Sequence, residues 1–323
     1  MQPLKIGILG FGRFAESAIL PAMQQTKLVK LVAIQKRNIS IARAKAGQYG
    51  IPYAYDSEEE LVRNPDVEAV FIASSNNQHL PQTRIAARHG KHVLCEKPMA
   101  LSVPEAREMI RVCRENEVKL MIAHMLRYSK SVREARQIYS SGALGDVRLA
   151  HSDFCIDAKE SPRAWIADPA VAGGGPVMDV GVHALDTIRC ILGRKIEEVQ
   201  AFLEPPLTQD QIEWDAQIGL RFSGGLFATI QTSFRLFYEA MIVLHGTQGT
   251  LQLRNYSQNK GTAILSWIYP DQTEKRWLVE NGNFYKAELE AFAQAVLRNE
   301  EPEIPGEEGL ENQIVLDRAY GKI

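Results

Sequence analysis

Short apolar runs alternate with helically spaced apolar positions over the first 123 residues. That alternation predicts βαβ units around a parallel sheet, whose strands read as near-continuous hydrophobic runs because both faces are covered. The predicted strands are residues 4–9, 28–34, 69–73, 92–96 and 119–123. The helices between them carry their own punctuation. Ser57 with Glu60, and Ser102 with Glu105, read as capping boxes, while Gly50 and Gly90 stand where a helix ends in a left-handed residue.

Beyond about residue 145 the pattern changes to longer strand-like runs, at 147–155, 196–203, 214–222, 226–234, 240–245 and 263–269. Tight-turn sequences such as Ser223-Gly224-Gly225 and Gly246-Thr247-Gln248-Gly249 separate them, which predicts a largely antiparallel sheet. Two helices are predicted among these strands, at 179–192 and 285–297, the second with Leu289, Phe292, Val296 and Leu297 on one face.

Composition adds bounds. A chain of 323 residues suggests two cores, and 45% hydrophobic with 24% charged residues is ordinary for a folded protein. A formal net charge of −2 gives no general field for nucleic acid or an anionic membrane, so neither is an expected partner and binding should be local. No run of about 18 apolar residues is present to span a bilayer, and the stretch from Met1 to Gly12 is too short for a secretory signal, so a cytoplasmic location is expected. Cys95, Cys113, Cys155 and Cys190 show no metal-ligand spacing, so no metal site or disulfide framework is expected.

Candidate chemistry begins at Gly10-Phe11-Gly12-Arg13-Phe14-Ala15, which follows a predicted strand and opens a helix. In that context GxGxxA is the dinucleotide turn of a Rossmann domain. Gly10 permits the tight turn, Gly12 lets the backbone approach the pyrophosphate, and Ala15 lets helix and strand pack closely. Arg13 and Phe14 join the expected cofactor residues. The second strand ends Ile34-Gln35-Lys36-Arg37-Asn38, without a carboxylate to take a ribose 2′-OH. Lys36 and Arg37 suit a 2′-phosphate, so NADP is favoured and NAD is the alternative. The expected fold is α/β: an N-terminal Rossmann domain with a doubly wound parallel sheet over 1–123, and a C-terminal α+β domain with a large, mostly antiparallel sheet over 124–323.

Three more segments complete the pattern: Ser74-Ser75-Asn76-Asn77-Gln78-His79, Glu96-Lys97-Pro98, and the stretch from Ala172 through Gly173-Gly174-Gly175 and Asp179 to His183. With the glycine turn, they make the whole chain resemble the glucose-fructose oxidoreductase / inositol dehydrogenase / MocA (Gfo/Idh/MocA) family. They match its TPNxxH segment, with Ser74-Ser75 for Thr-Pro, its EKP motif and its AGGGxxxDxGxH stretch. Residues 92–98, 244–247 and 283–285 are similar to the sugar reductase branch that includes 1,5-anhydrofructose reductase, whereas the glycine turn departs from that branch. The resemblance implies an NAD(P)-dependent oxidoreductase acting on a cyclic sugar, anhydro-sugar or polyol. It implies cofactor contacts from Ser74, Ser75, Asn76, His79, Glu96, Lys97 and Pro98, with His79 ordering its loop. Arg127, Tyr128 and Trp165 would lie near substrate or cofactor. The C-terminal domain would bind substrate and form a homodimer or homotetramer through its sheet.

The chemistry also follows from the residues. Exchanging a hydride between a nicotinamide and a carbinol or carbonyl carbon requires a proton carrier and a group that polarises the oxygen. Asp179 and His183, four apart on a predicted helix, share one face. His183 is assigned proton transfer because an imidazole titrates near neutrality, and Asp179 would orient it or hold a second hydroxyl. Lys97 would donate a hydrogen bond to the substrate oxygen and stabilise developing charge. The run Gly173-Gly174-Gly175 is read as room for close ligand approach. Two other functions stay open: a glycosidase of the same family that uses bound NAD transiently, and a non-catalytic dinucleotide-sensing regulator. A sensor has no chemical need for Lys97, Asp179 and His183 together.

Overall fold

The computed structural model describes residues 2–159, 161 and 163–323. The chain forms two compact units, Met1–Ala123 with Tyr285–Gln313, and His124–Phe284 with Ile314–Ile323.

The first unit is built on a parallel sheet of β1 (Leu4–Leu9), β2 (Val29–Gln35), β3 (Tyr53–Tyr55), β4 (Ala69–Ile72), β5 (His92–Glu96) and β6 (Leu120–Ala123). Their order, β3-β2-β1-β4-β5-β6, is that of a Rossmann sheet, with the winding reversing between β1 and β4. Strand β4 is buried at every residue, as expected of a strand with helices on both faces. The register sets Leu9, Ile72 and Cys95 level across β1, β4 and β5, so the turns after these strands open side by side at the carboxyl edge. The serine half of each capping box holds: Ser57 and Ser102 accept hydrogen bonds from the backbone N–H groups of Glu60 and Glu105, while the Glu105 carboxylate accepts from Leu101 N–H in place of Ser102. Gly50 ends the helix Ile39–Tyr49 at φ 65°. Strand β3 escapes the hydrophobic pattern because it is a three-residue edge strand with no fully buried position.

The division differs from the simple cut at residue 124, because residues 285–313 belong to the first unit. Ile122 N–H donates to the Ile304 carbonyl at 3.0 Å and Met121 bridges Pro305, so this segment lies along β6. Gly309 sits so tightly that a Cβ would fall 2.8 Å from Ile122 and Met99 side-chain atoms.

The second unit contains β7 (Val147–Asp157), β8 (Ile196–Glu204), β9 (Asp215–Phe222), β10 (Leu226–Ser233), β11 (Arg235–Gly246), β12 (Gly249–Arg254), β13 (Thr262–Ile268) and β14 (Glu274–Glu280). They form one sheet in the order β14-β13-β12-β11-β7-β10-β9-β8, antiparallel except where β10 runs parallel to β7. Gly224 and Gly225 close the β9–β10 hairpin at φ 81° and 76°, a turn only glycine takes freely. Phe154, Ile218, Ile230, Ile242, Leu251 and Leu265 alternate into a buried face, which the helices Lys130–Ser140 and Val182–Leu192 cover. Within this unit the opposite face is bare. Register places Leu149 beside Phe227, and Phe202 and Leu278 on the same side, with relative exposures of 53%, 55%, 77% and 68%.

Candidate functional site

The two glycines of the first turn are needed for different reasons. Gly10 has φ 76°, and a Cβ there would lie 2.8 Å from the Ser74 backbone, so only glycine fits. Gly12 has no left-handed φ, and a Cβ would meet nothing closer than the Gly10 carbonyl at 3.8 Å. The space over Gly12 is therefore open. The chain continues through a π turn, Ala15–Ile19, into Leu20–Met23, with Ala15 buried against the sheet. Open space at the N-terminal end of a helix is a phosphate cradle, and this turn fits a dinucleotide.

The end of β2 is tied into that turn. Gln35, only 4% exposed, accepts from Gly10 N–H at 3.1 Å through Oε1 and donates from Nε2 to the Asp56 carbonyl at 3.0 Å. Sequence reasoning passed over Gln35; its signal was a buried-type amide where an acidic residue would otherwise hold a ribose. Lys36 Nζ donates to the Phe11 carbonyl at 3.3 Å, Arg37 is exposed, and Asn38 caps the next helix by accepting from Ile41 N–H at 3.1 Å. Lys36 thus sits at the turn and Arg37 at its rim.

The loops after β4 and β5 hold one another. Ser74 Oγ donates to Gln82 Oε1 at 2.7 Å and Ser75 Oγ to Asn77 Oδ1 at 2.9 Å, while Asn76 is buried. His79 is fully buried with Nδ1 2.9 Å from the Pro98 carbonyl, and burial lowers its pKa to about 4. A neutral imidazole donating there fastens one loop to the other. Lys97 N–H donates to Glu96 Oε2 at 3.3 Å, so the backbone of this turn is held on both sides of Lys97.

In the second unit, the π turn Val177–Gly181 runs into the helix Val182–Leu192 and carries Asp179 and His183 into neighbouring turns. The His183 ring is 6% exposed and stacks on Phe154 with centroids 5.7 Å apart and planes 25° apart. Asp179 accepts both ends of the Arg163 guanidinium fork, at 3.0 and 2.7 Å. Arg163 also lies over the Trp165 ring at 5.9 Å, so Trp165 reaches the pair through an arginine the sequence had not singled out. Nothing in the pattern around Arg163 announced it.

The glycine run before Asp179 departs from expectation. A Cβ on Gly174 would lie 2.0 Å from Tyr320 Oη, and one on Gly175 2.0 Å from the Glu213 carbonyl oxygen. These glycines make room for the protein itself. The fully buried Glu213 carboxyl accepts from Gly175 N–H at 3.0 Å, Val177 N–H at 3.1 Å and Tyr320 Oη at 2.8 Å. An acidic side chain thus caps the start of the π turn, although burial raises its pKa above the usual carboxylate range.

Arg127 forms a bidentate pair with the buried Asp186 at 2.9 and 2.7 Å, and Tyr128 is buried with Arg133 over its ring at 5.2 Å. Both therefore have structural partners inside the second unit. Among the described residues, no helix is long and apolar enough to cross a membrane.

A family model described as "Oxidoreductase family, NAD-binding Rossmann fold" matches residues 4–124, and the GFO/IDH/MocA C-terminal domain model matches residues 132–252. The chain is 31% identical over 306 residues to the 1,5-anhydro-D-fructose reductase of Ensifer adhaerens, covering 94% of this chain and 91% of the relative. It is also 31% identical over 321 residues to D-xylose 1-dehydrogenase (NADP(+)) 2 of Haloferax volcanii, covering 98% and 96%. Among solved structures, the aldose-aldose oxidoreductase of Caulobacter crescentus, complexed with glycerol, superposes with a TM-score of 0.90 at 28% identity, covering 99% of this chain and 98% of that one.

Proposed function

The chain belongs to the Gfo/Idh/MocA oxidoreductase family, with an NAD-binding Rossmann domain at its N-terminus, and from that premise we propose an NADP-preferring reductase or dehydrogenase of a cyclic sugar, anhydro-sugar or polyol. The observation that carries the cofactor preference is the end of β2. Lys36 reaches the glycine turn, Arg37 is exposed beside it, and residues 35–38 offer no carboxylate. A 2′-phosphate would find two cations there and no repulsion. The names of the Ensifer and Haloferax relatives support a sugar-like substrate.

The bound nicotinamide supplies or accepts the hydride; the protein's residues handle the proton and the charge. Lys97 donates a hydrogen bond to the substrate oxygen, which stabilises the negative charge that develops on it. His183 carries the proton, with its ring plane fixed by Phe154. Asp179, clamped by Arg163, is an acceptor for a second substrate hydroxyl. The bare sheet face with Leu149, Phe202, Phe227 and Leu278 is an interface with a second copy, giving a dimer or tetramer.

Titration of the full chain with NADPH and with NADH is the first experiment, followed by a panel of osones, inososes, aldoses and anhydro-sugars. Tighter NADPH binding and stoichiometric loss of NADPH absorbance with one of these substrates are expected. Equal or tighter NADH binding would overturn the cofactor preference, and turnover without net NADPH loss would replace the reductase with a glycosidase. In the His183→Ala variant the rate should fall by about 10²–10⁴-fold with NADPH affinity unchanged. A monomer in multi-angle light scattering would remove the interface.

A further inference from the structure

We propose that Glu288 is a positioning residue for the Glu96-Lys97-Pro98 turn, held as a neutral carboxylic acid, and that loss of its proton weakens dinucleotide binding. In the helix Phe284–Arg298, the residues from Tyr285 onward belong to the first unit. Tyr285 meets Phe14 of the glycine turn edge-on, with ring centroids 5.7 Å apart and planes at 70°. One turn further on, Glu288 is completely buried, and neither of its carboxyl oxygens has a hydrogen-bond partner.

Among the described residues, the titratable groups within electrostatic reach of Glu288 are Glu96 at the end of β5 and Tyr285 on its own helix. Among the described residues no cation acts on it. A carboxylate in that position would be both desolvated and repelled, which costs more than keeping the proton. Burial and the Glu96 charge accordingly push the Glu288 carboxyl well above the usual range. Glu96 is only half-buried and accepts the Lys97 N–H, whereas Glu288 has neither solvent nor a hydrogen-bond partner. Ionising Glu288 would bring a second negative charge next to Glu96 and Tyr285, the groups that adjoin the Lys97 turn and the glycine turn. Because the folded form favours the proton, the effect is absent at low pH and grows as pH rises through the raised value.

The wild-type protein and Glu288→Gln, the isostere of the neutral acid, provide the test. Infrared titration of the full chain should show the carbonyl band of a protonated carboxylic acid persisting after ordinary carboxyls have ionised, and Glu288→Gln should lack it. Fluorescence titration should show the NADPH Kd of the wild type rising about threefold or more toward alkaline pH, while Glu288→Gln keeps the low-pH affinity throughout. Absence of the band in the wild type, its survival in Glu288→Gln, or identical pH profiles would each overturn the proposal. If Glu288→Gln does not fold, Glu96→Gln decides: removing the neighbouring charge should move the wild-type band's titration to lower pH, and an unmoved band refutes the pairing. The binding readout rests on the dinucleotide reading. Failure of both cofactors to bind at any pH would sink that reading, whereas the infrared band stands or falls without it.

Discussion

The two glycine clusters of this chain look alike in sequence and do opposite things. At Gly10 to Ala15 the missing side chain of Gly12 leaves open space, with the nearest atom to an added Cβ 3.8 Å away. At Gly174 and Gly175 the space is already filled by Tyr320 and Glu213, each with an atom 2.0 Å from where a Cβ would stand. The first cluster is shaped for a ligand. The second is shaped for the protein's own packing, and anchors the start of the turn that leads to Asp179 and His183. A glycine run therefore marks close approach without saying what approaches.

The contrast can be broken most forcefully at Gly175. Gly175→Ala places a Cβ against a backbone oxygen that cannot rotate away, and should cost about 3 kcal/mol or more in urea-induced unfolding. Wild-type stability would mean that the second cluster has slack, like the first. Of similar size is the acid limb set by His79. Its folded pKa of about 4 lies below the ordinary 6.5, so its contribution is complete above that ordinary value and is lost as pH falls through about 4. About 3 kcal/mol should disappear across this window, and His79→Gln should flatten the limb. An unaltered limb in that variant would show that the open cluster needs no such fastener between its neighbouring loops.

Gly12→Ala is the converse of Gly175→Ala. It should leave the unfolding midpoint within about 0.5 kcal/mol of wild type, because no atom obstructs the Cβ, yet raise the NADPH Kd about tenfold or more by crowding the phosphate path. Unchanged affinity would show that the open space is not the ligand's. Least in size is Tyr320→Phe, which removes one of the donors to Glu213 and should cost about 1 kcal/mol, with no effect on dinucleotide affinity.

Much of the first unit was readable residue by residue. Strands β1 and β5 fall on the expected runs, and Ser57, Ser102 and Gly50 cap the helices they were read to cap, because local hydrogen bonding and backbone preference decide these features. Strands β3, β12 and β14 lie outside the predicted runs. Strand β3 is three residues long, and β14 is an edge strand whose Glu, Lys and Arg residues break the apolar count. The return of residues 285–313 to the first unit also left no local signature, since it depends on pairing with β6 from more than 160 residues away.

By itself the sequence determined the Rossmann unit, the glycine turn, the residues that mark the family, and the absence of a carboxylate at the end of β2, all of which depend on residue type at short spacing. Tertiary structure alone decided that Gln35 fastens the turn, that Arg163 clamps Asp179, that Glu213 and Tyr320 fill the second glycine cluster, and that Glu288 lies buried without a partner. Hydrogen bonds and desolvation depend on which atoms meet in space, and for these five residues decisive neighbours lie from 16 to more than 100 residues away in the chain.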